Sequence, residues 1–251
     1  MPFDAFRSSA YGWLMLGGIL LSLLYWWRLA KRDSRLLLIY FGALGGAFLG
    51  AKLVYVAAEG WMHWHDANRW LQLATGKTIT GALLGGYAGV EITKSLLGYD
   101  KPTGDGFALI VPVTIVLGRV GCWFHGCCQG IPCGPSWFTT QDSAGLSRWP
   151  SVQVEMLFNI LAFCAIFFLG KYSLFPNQHF HLYLIGYGFF RFFHEFLREE
   201  PRLFSAITGY QVAALAVMVL GIAGFVRRQR YAQVKARAPI PPTAANSGSA
   251  G

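Results

Sequence analysis

The sequence predicts an all-α, polytopic membrane protein of about seven transmembrane helices, and three observations predict it. Only 13% of its 251 residues are charged, while 54% are hydrophobic; a soluble domain carries about 25% charged residues. The apolar residues fall in long runs, most of them near the roughly 20 residues that a helix needs to cross hydrocarbon. The lysines and arginines sort by loop, so the net charge of +9 reads as membrane topology rather than as a nucleic-acid-binding surface.

The runs are 12–30, 36–58, 79–98, 105–127, 152–170, 179–197 and 207–226. The first follows residues with little positive charge, and no small-residue cleavage pattern comes after it, so it is expected to stay as a helix rather than be removed as a signal peptide. The third and fifth fit least well, because Glu91 and Lys94 crowd one and Glu155 sits near the start of the other. Pro150 and Ser151 mark the start of that fifth helix. Twelve lysines and arginines, including Arg28, Lys94, Lys171 and Arg227, fall on one side, and six, including Arg69, Arg148 and Arg198, on the other. The positive-inside rule makes the first side cytoplasmic, the N-terminus periplasmic and the C-terminus cytoplasmic. Residues 1–230 are expected to form a single transmembrane domain with a Trp-rich periplasmic arm at 59–77 and a loop at 128–151. Residues 231–251 turn to Ala, Pro, Ser and Gly and read as a disordered cytoplasmic tail.

Charges inside apolar runs are costly and usually face the bundle interior. In "LIGYGFFRFFHEFLREEP", Tyr187, Arg191, Glu195 and Arg198 recur at spacings of 4, 4 and 3, which places them on one helix face with phenylalanines over the rest. Two readings of that stripe stand side by side. Either Arg191 and Glu195 neutralise each other and specify packing, or Glu195 holds the Arg191 guanidinium ready for an anion such as phosphate. Arg119 lies in the fourth run between Gly118 and Gly121. It either snorkels to the interface or joins Arg191 around an anion, the most available being a phospholipid headgroup.

These residues lead to a resemblance. "GRVGCWFHGCCQG", residues 118–130, resembles the G-R-x-G-N-F-x-N-G-E-x-x-G signature of the prolipoprotein diacylglyceryl transferases, matching it at Gly121, Gly126 and Gly130. "YGWLM" at Tyr11, "GAKLVYV" with Lys52 in place of arginine, "RWPSVQVE" ending at Glu155, "YGFFRFFHEFLRE" and "GYQ" resemble further family motifs in the same order. The resemblance implies transfer of diacylglyceryl from phosphatidylglycerol, or a related anionic phospholipid, to the cysteine thiol of a lipoprotein precursor, whose signal peptide is a partner. It implies a multi-pass location in the bacterial inner membrane and no cofactor. Arg119 and Arg191 would grip the phosphate, Glu195 would orient Arg191, and Tyr187 and Tyr11 would line the pocket.

The chain departs from that pattern where protons are handled. Thr80 stands where the family carries histidine, Cys122 and His125 replace its two asparagines, Cys127 replaces its glutamate, and Trp149 replaces another histidine. A threonine hydroxyl is no general base near neutral pH. Three explanations follow: the base has moved to His125 or His194, the acceptor differs while the phospholipid donor is kept, or catalysis is lost and a lipid-binding or thiol-redox protein remains. Cys122, Cys127, Cys128 and Cys133 do not follow the common zinc spacing. They read as a disulfide such as Cys128–Cys133, as packing or free thiols, or as metal-binding or catalytic thiols, with Cys127 a nucleophile beside His125. Glu155 either binds Arg119 or Arg148, or caps its helix.

Overall fold

A computed structural model describes residues 2–203 and 207–237; the side chains of 2–11, 232 and 235–237 lie outside that description. Helices α1 (Pro2–Ala30) and α2 (Arg35–Ala58) are joined by a turn that Asp33 closes, its carboxylate accepting from the Arg35 backbone and guanidinium N–H groups at 3.1 Å. A 3-10 turn (Gly60–His63) and the short helix α3 (Arg69–Thr75) lead into α4 (Ile79–Leu96). The Thr78 hydroxyl caps α4 by accepting from the Gly81 N–H at 2.9 Å. Then come α5 (Gly104–His125), α6 (Ser151–Lys171), α7 (His179–His194) and α8 (Gly209–Arg237). Two small antiparallel hairpins interrupt the helices. In one, β1 (Thr140–Gln141) pairs with β2 (Ser147–Arg148); in the other, β3 (Arg202–Leu203) pairs with β4 (Ile207–Thr208).

Among the described residues the protein is all-α apart from those hairpins, and five helices are long and apolar enough to cross a membrane: α1 from Gly12, α2, α5, α6 and α8 up to Tyr231. The fifth apolar run, expected to be weak, is among them as α6. Glu155 is completely buried there, so its charge never meets lipid. The third and sixth runs, as α4 and α7, are not among the five; α7 has only 16 residues before it passes into a 3-10 turn at Glu195–Leu197. Helix α8 continues to Arg237, beyond the point where composition places the start of the tail, and the rest of that tail lies outside the described residues. Large apolar side chains such as Leu20, Leu24, Phe48, Leu53, Leu161 and Phe168 point outward and are exposed, which suits a lipid environment and no aqueous one.

Inside, Trp26, Ile39, Leu184, Tyr187 and Val217 are fully buried, and Trp26 meets Phe107 with ring centroids 4.3 Å apart. Backbones, rather than side chains, meet between α2 and α4. Gly42, Gly46 and Gly50 on α2 face Gly81, Gly85 and Gly89 on α4, and a Cβ at Gly50 would stand 2.7 Å from the Cα of Gly85. Small residues spaced four apart let two helices touch along such a seam, where dispersion forces and backbone contacts replace a hydrophobic driving force that lipid removes. On the other side of the bundle Gly188 of α7 meets Ala214 and Met218 of α8 in the same way.

Gly85→Val is expected to lower unfolding stability in detergent by about 1–3 kcal/mol, the usual cost of overpacking. Gly45→Ala, on the facing helix α2 with nothing within 4 Å, is expected to stay within about 0.5 kcal/mol of the parent. Denaturant titration of the two variants checks the contrast.

Candidate active site

A cavity of about 1680 Å³ runs through the bundle from the level of Arg119, Arg191 and Arg198 to that of Glu91 and Arg227. Its middle is apolar, with Tyr40, Leu83 and Phe107 among its walls. Its polar end is built from the close of α5, the close of α7 and the loops around them.

Helix α5 supplies Arg119, whose side chain is nine-tenths buried. The Arg119 guanidinium meets the Glu155 carboxylate of α6 at 2.7 Å. The other Glu155 oxygen accepts from the Tyr187 hydroxyl of α7 at 2.7 Å. One carboxylate thereby ties three helices. Behind it, the Asn159 amide donates to the Glu155 backbone carbonyl, and the Tyr183 hydroxyl donates to Asn159, both at 2.8 Å. Glu155 is a bridging residue and not a surface cap.

The stripe expected on α7 is present, and it leads into the cavity wall. Arg191 pairs with Glu195 at 2.9 Å, and Glu195 lies 3.7 Å from the Arg198 guanidinium. The other Glu195 oxygen accepts from the Thr208 hydroxyl at 3.3 Å. One terminal nitrogen of Arg191, Nη1, is buried with no hydrogen-bond partner, and Arg191 lines the cavity. The outward phenylalanines Phe189, Phe193 and Phe196 are exposed, so the same helix shows lipid one face and the cavity the other.

Of the remaining sequence-derived candidates, His125, Cys127, Cys122, Gly126 and Thr80 line the cavity. Tyr187, Glu155, Glu195, Gly121 and Gly130 stand behind its wall, outside the lining. The side chain of Tyr11 lies outside the described residues. Gly130 is where the loop crosses the end of α7. It bridges to Arg198, and a Cβ there would come within 2.6 Å of the Ser151 hydroxyl. Thr80 is buried, its hydroxyl 3.4 Å from that of Thr78. His194 packs away from the cavity, stacked on Phe190 and accepting from the Trp149 ring N–H at 3.4 Å. Of the two candidate replacement bases, only His125 faces the site.

Of the readings left open for the cysteines, the structure holds free thiols, and no Cys128–Cys133 bridge is formed. Cys133 belongs to the loop, donating its N–H to the Ser147 carbonyl at 3.0 Å. Cys122, Cys127 and Cys128 instead bring their sulfurs within 4.8 Å of one another.

The sequence reading gave several groups no site role. Arg198 was counted among the outer bases and set by spacing on the α7 stripe, but not among the phosphate-binding residues; it is 7% exposed and held by Glu200 at 2.7 Å. Its position on the Tyr187–Arg191–Glu195 stripe was the available signal. Arg148 reaches the cavity while bound to Asp142 at 2.7 Å and to Glu199, and its hydrogen bond holds the Asp142 carboxyl below its ordinary pKa. Lys52 donates to the Leu73 carbonyl at 3.0 Å and to that of Ala74, pinning the arm at 59–77 onto α2. In that arm His63 bonds to Asp66 at 2.9 Å and to Glu59 at 3.4 Å, and these two carboxylates raise its pKa, Asp66 the more.

Residues 3–227 match the family described as prolipoprotein diacylglyceryl transferase. The chain belongs to that family. A phosphatidylglycerol–prolipoprotein diacylglyceryl transferase of Clostridium tetani is 29% identical over 238 residues, covering 88% of this chain and 94% of that protein. One of Dehalococcoides mccartyi is 27% identical over 238 residues, covering 88% and 89%. As a diacylglyceryl transferase, this chain keeps both signature arginines at one cavity and lines the same cavity with thiols and a threonine.

Glu155→Gln is expected to destabilise this diacylglyceryl transferase by about 3–5 kcal/mol, because it leaves the Arg119 charge buried without a counter-ion. Tyr187→Phe removes one hydrogen bond and is expected to cost about 1 kcal/mol. Thermal unfolding in detergent ranks the two.

Proposed function

We propose that the protein transfers the diacylglyceryl group of phosphatidylglycerol to the cysteine thiol of a lipoprotein precursor, releasing glycerol phosphate. The observation that carries this reading is that Arg119 and Arg191, on different helices, line one cavity and that Arg191 keeps a buried nitrogen without a partner. A phosphate between them supplies the missing acceptor and uses the guanidinium N–H groups that the carboxylates leave free. As the carbon–oxygen bond to phosphate breaks, charge builds on the leaving group, and donors already in place stabilise it without reorganising. Glu195 and Glu155 set the two guanidiniums, Tyr187 sets Glu155, and Arg198 adds a third positive charge. The apolar middle of the cavity suits acyl chains. Curated relatives whose names state this reaction support it.

In this reading all seven long helices span the bacterial inner membrane as one domain. The N-terminus, the arm at 59–77 and the loop at 128–151 face the periplasm, where the signal peptide of the precursor arrives. The C-terminal tail is cytoplasmic.

Expression in cells depleted of their own diacylglyceryl transferase tests the proposal, with lipid-modified lipoprotein as the readout. Rescue is expected, and Arg191→Ala is expected to reduce turnover by about 100- to 1000-fold, as loss of a charge-stabilising donor does. Absence of rescue while phosphatidylglycerol copurifies points to a different acceptor, the change suggested by Thr80 and the cysteines. Absence of both rescue and bound phospholipid overturns the proposal.

A further inference from the structure

We infer that Cys122, Cys127 and Cys128 form a zinc site with three thiolate ligands, whose open fourth position takes the acceptor thiol and replaces the base that the signature lacks. The inference rests on the transferase reading for its role and on the geometry alone for the site.

The geometry comes from how α5 ends. Gly126 adopts a left-handed φ of 74°, and the N–H groups of Gly126 and Cys127 both return to the Cys122 carbonyl, at 2.9 and 3.2 Å. That turn folds a C-x4-C-C segment back on itself, which the linear spacing does not show. Cys128 follows with φ of 63°, a left-handed conformation that side chains seldom adopt and that persists where surroundings impose it. The three sulfurs then fall within 4.8 Å of one another, and those of Cys127 and Cys128 are 3.7 Å apart. A tetrahedral zinc with Zn–S bonds of about 2.3 Å needs sulfurs about 3.8 Å apart.

Charge and access agree. Arg119 places Nη1 3.9 Å from the Cys122 sulfur, and Arg198 donates to the Cys128 carbonyl at 3.5 Å. Three thiolates and one Zn²⁺ carry a net charge of −1, and these two guanidiniums stand beside it. Cys122 is buried, whereas Cys127 and Cys128 are partly exposed and line the cavity. One side of the cluster therefore faces the place where donor phosphate and acceptor meet. Three protein ligands with a free position is the pattern of catalytic rather than structural zinc.

The step balances without redox change. The acceptor thiol binds as thiolate, and its proton goes to bulk water. A sulfur lone pair forms the S–C bond to the glyceryl carbon that carries the phosphate. The C–O bond breaks, its electron pair stays on the phosphate oxygen, and glycerol phosphate leaves from Arg119 and Arg191.

X-ray absorption and metal analysis of the full-length protein, purified with zinc present, test this. One zinc per chain with three sulfur ligands is expected, rising to four sulfurs when an apolar peptide carrying one cysteine is added and staying at three with its serine counterpart. Cys122→Ser, Cys127→Ser and Cys128→Ser are each expected to lose the metal; Cys133→Ser and Cys164→Ser are expected to keep it. No bound zinc, zinc retained in all three cluster variants, or a mapped disulfide within the cluster overturns the site. Zinc bound through three sulfurs with transfer undiminished after chelation overturns its role and leaves the transferase reading intact. A peptide-dependent fourth sulfur without any transfer supports the thiol site and counts against the transferase reading instead.

Discussion

A guanidinium in an apolar bundle is tolerated only with a counter-charge, and the architecture around the cavity follows from that constraint. Burying an ion costs several kcal/mol even after relaxation, so Arg119 and Arg191 each require a carboxylate. The chain supplies Glu155 from a neighbouring helix and Glu195 from the 3-10 turn that follows α7. Each pairing uses only part of the planar fork. The buried nitrogens left over, Nε of Arg119 and Nη1 of Arg191, are unfilled hydrogen-bonding capacity held at a fixed place. Such capacity is unfavourable in a resting protein and favourable only when a ligand arrives.

The same ion pairs organise the fold. Glu155 joins α5, α6 and α7 through Arg119 and Tyr187. Glu195 holds the end of α7 against β4 through Thr208, whose backbone in turn donates to Gln211 of α8 at 2.9 Å. The site is therefore assembled by long-range contacts between helices that carry little polar surface elsewhere. The loops contribute in the same region: Gly130 and Ile131 pair with Trp149 and Leu197, which ties the loop to the end of the bundle that carries the arginines.

Much of this was legible in the sequence, and the limits have physical causes. Helix existence was readable because hydrocarbon thickness dictates run length. The Tyr187–Arg191–Glu195 face was readable because helical periodicity acts within one element. Period says nothing about which carboxylate a lone arginine meets across a helix interface, so Glu155 was left between two partners and a capping role. Arg198 was set on that face by period, but its burial beyond the 3-10 turn at Glu195 depends on tertiary contacts that period does not show. The cysteines misled for a related reason: a helix terminus that reverses the chain brings residues 122, 127 and 128 together, a proximity that spacing rules for extended knuckles do not describe. The glycines at 42, 46, 50, 81, 85 and 89 carried a clear four-residue period whose partner only the structure identifies.

That glycine seam has a consequence for handling the protein. In water each such residue weakens its helix by about 1 kcal/mol relative to alanine, since the freed backbone gains both motion and hydration. Hydrocarbon offers a backbone no alternative hydrogen-bonding partner, so the weakness disappears in the bilayer. The cohesion of α2 with α4 is in this sense borrowed from the lipid around them. Extraction into a harsh, water-permeable micelle is the treatment to which that pair is most vulnerable, and mild surfactants or lipid discs are the environments that preserve it.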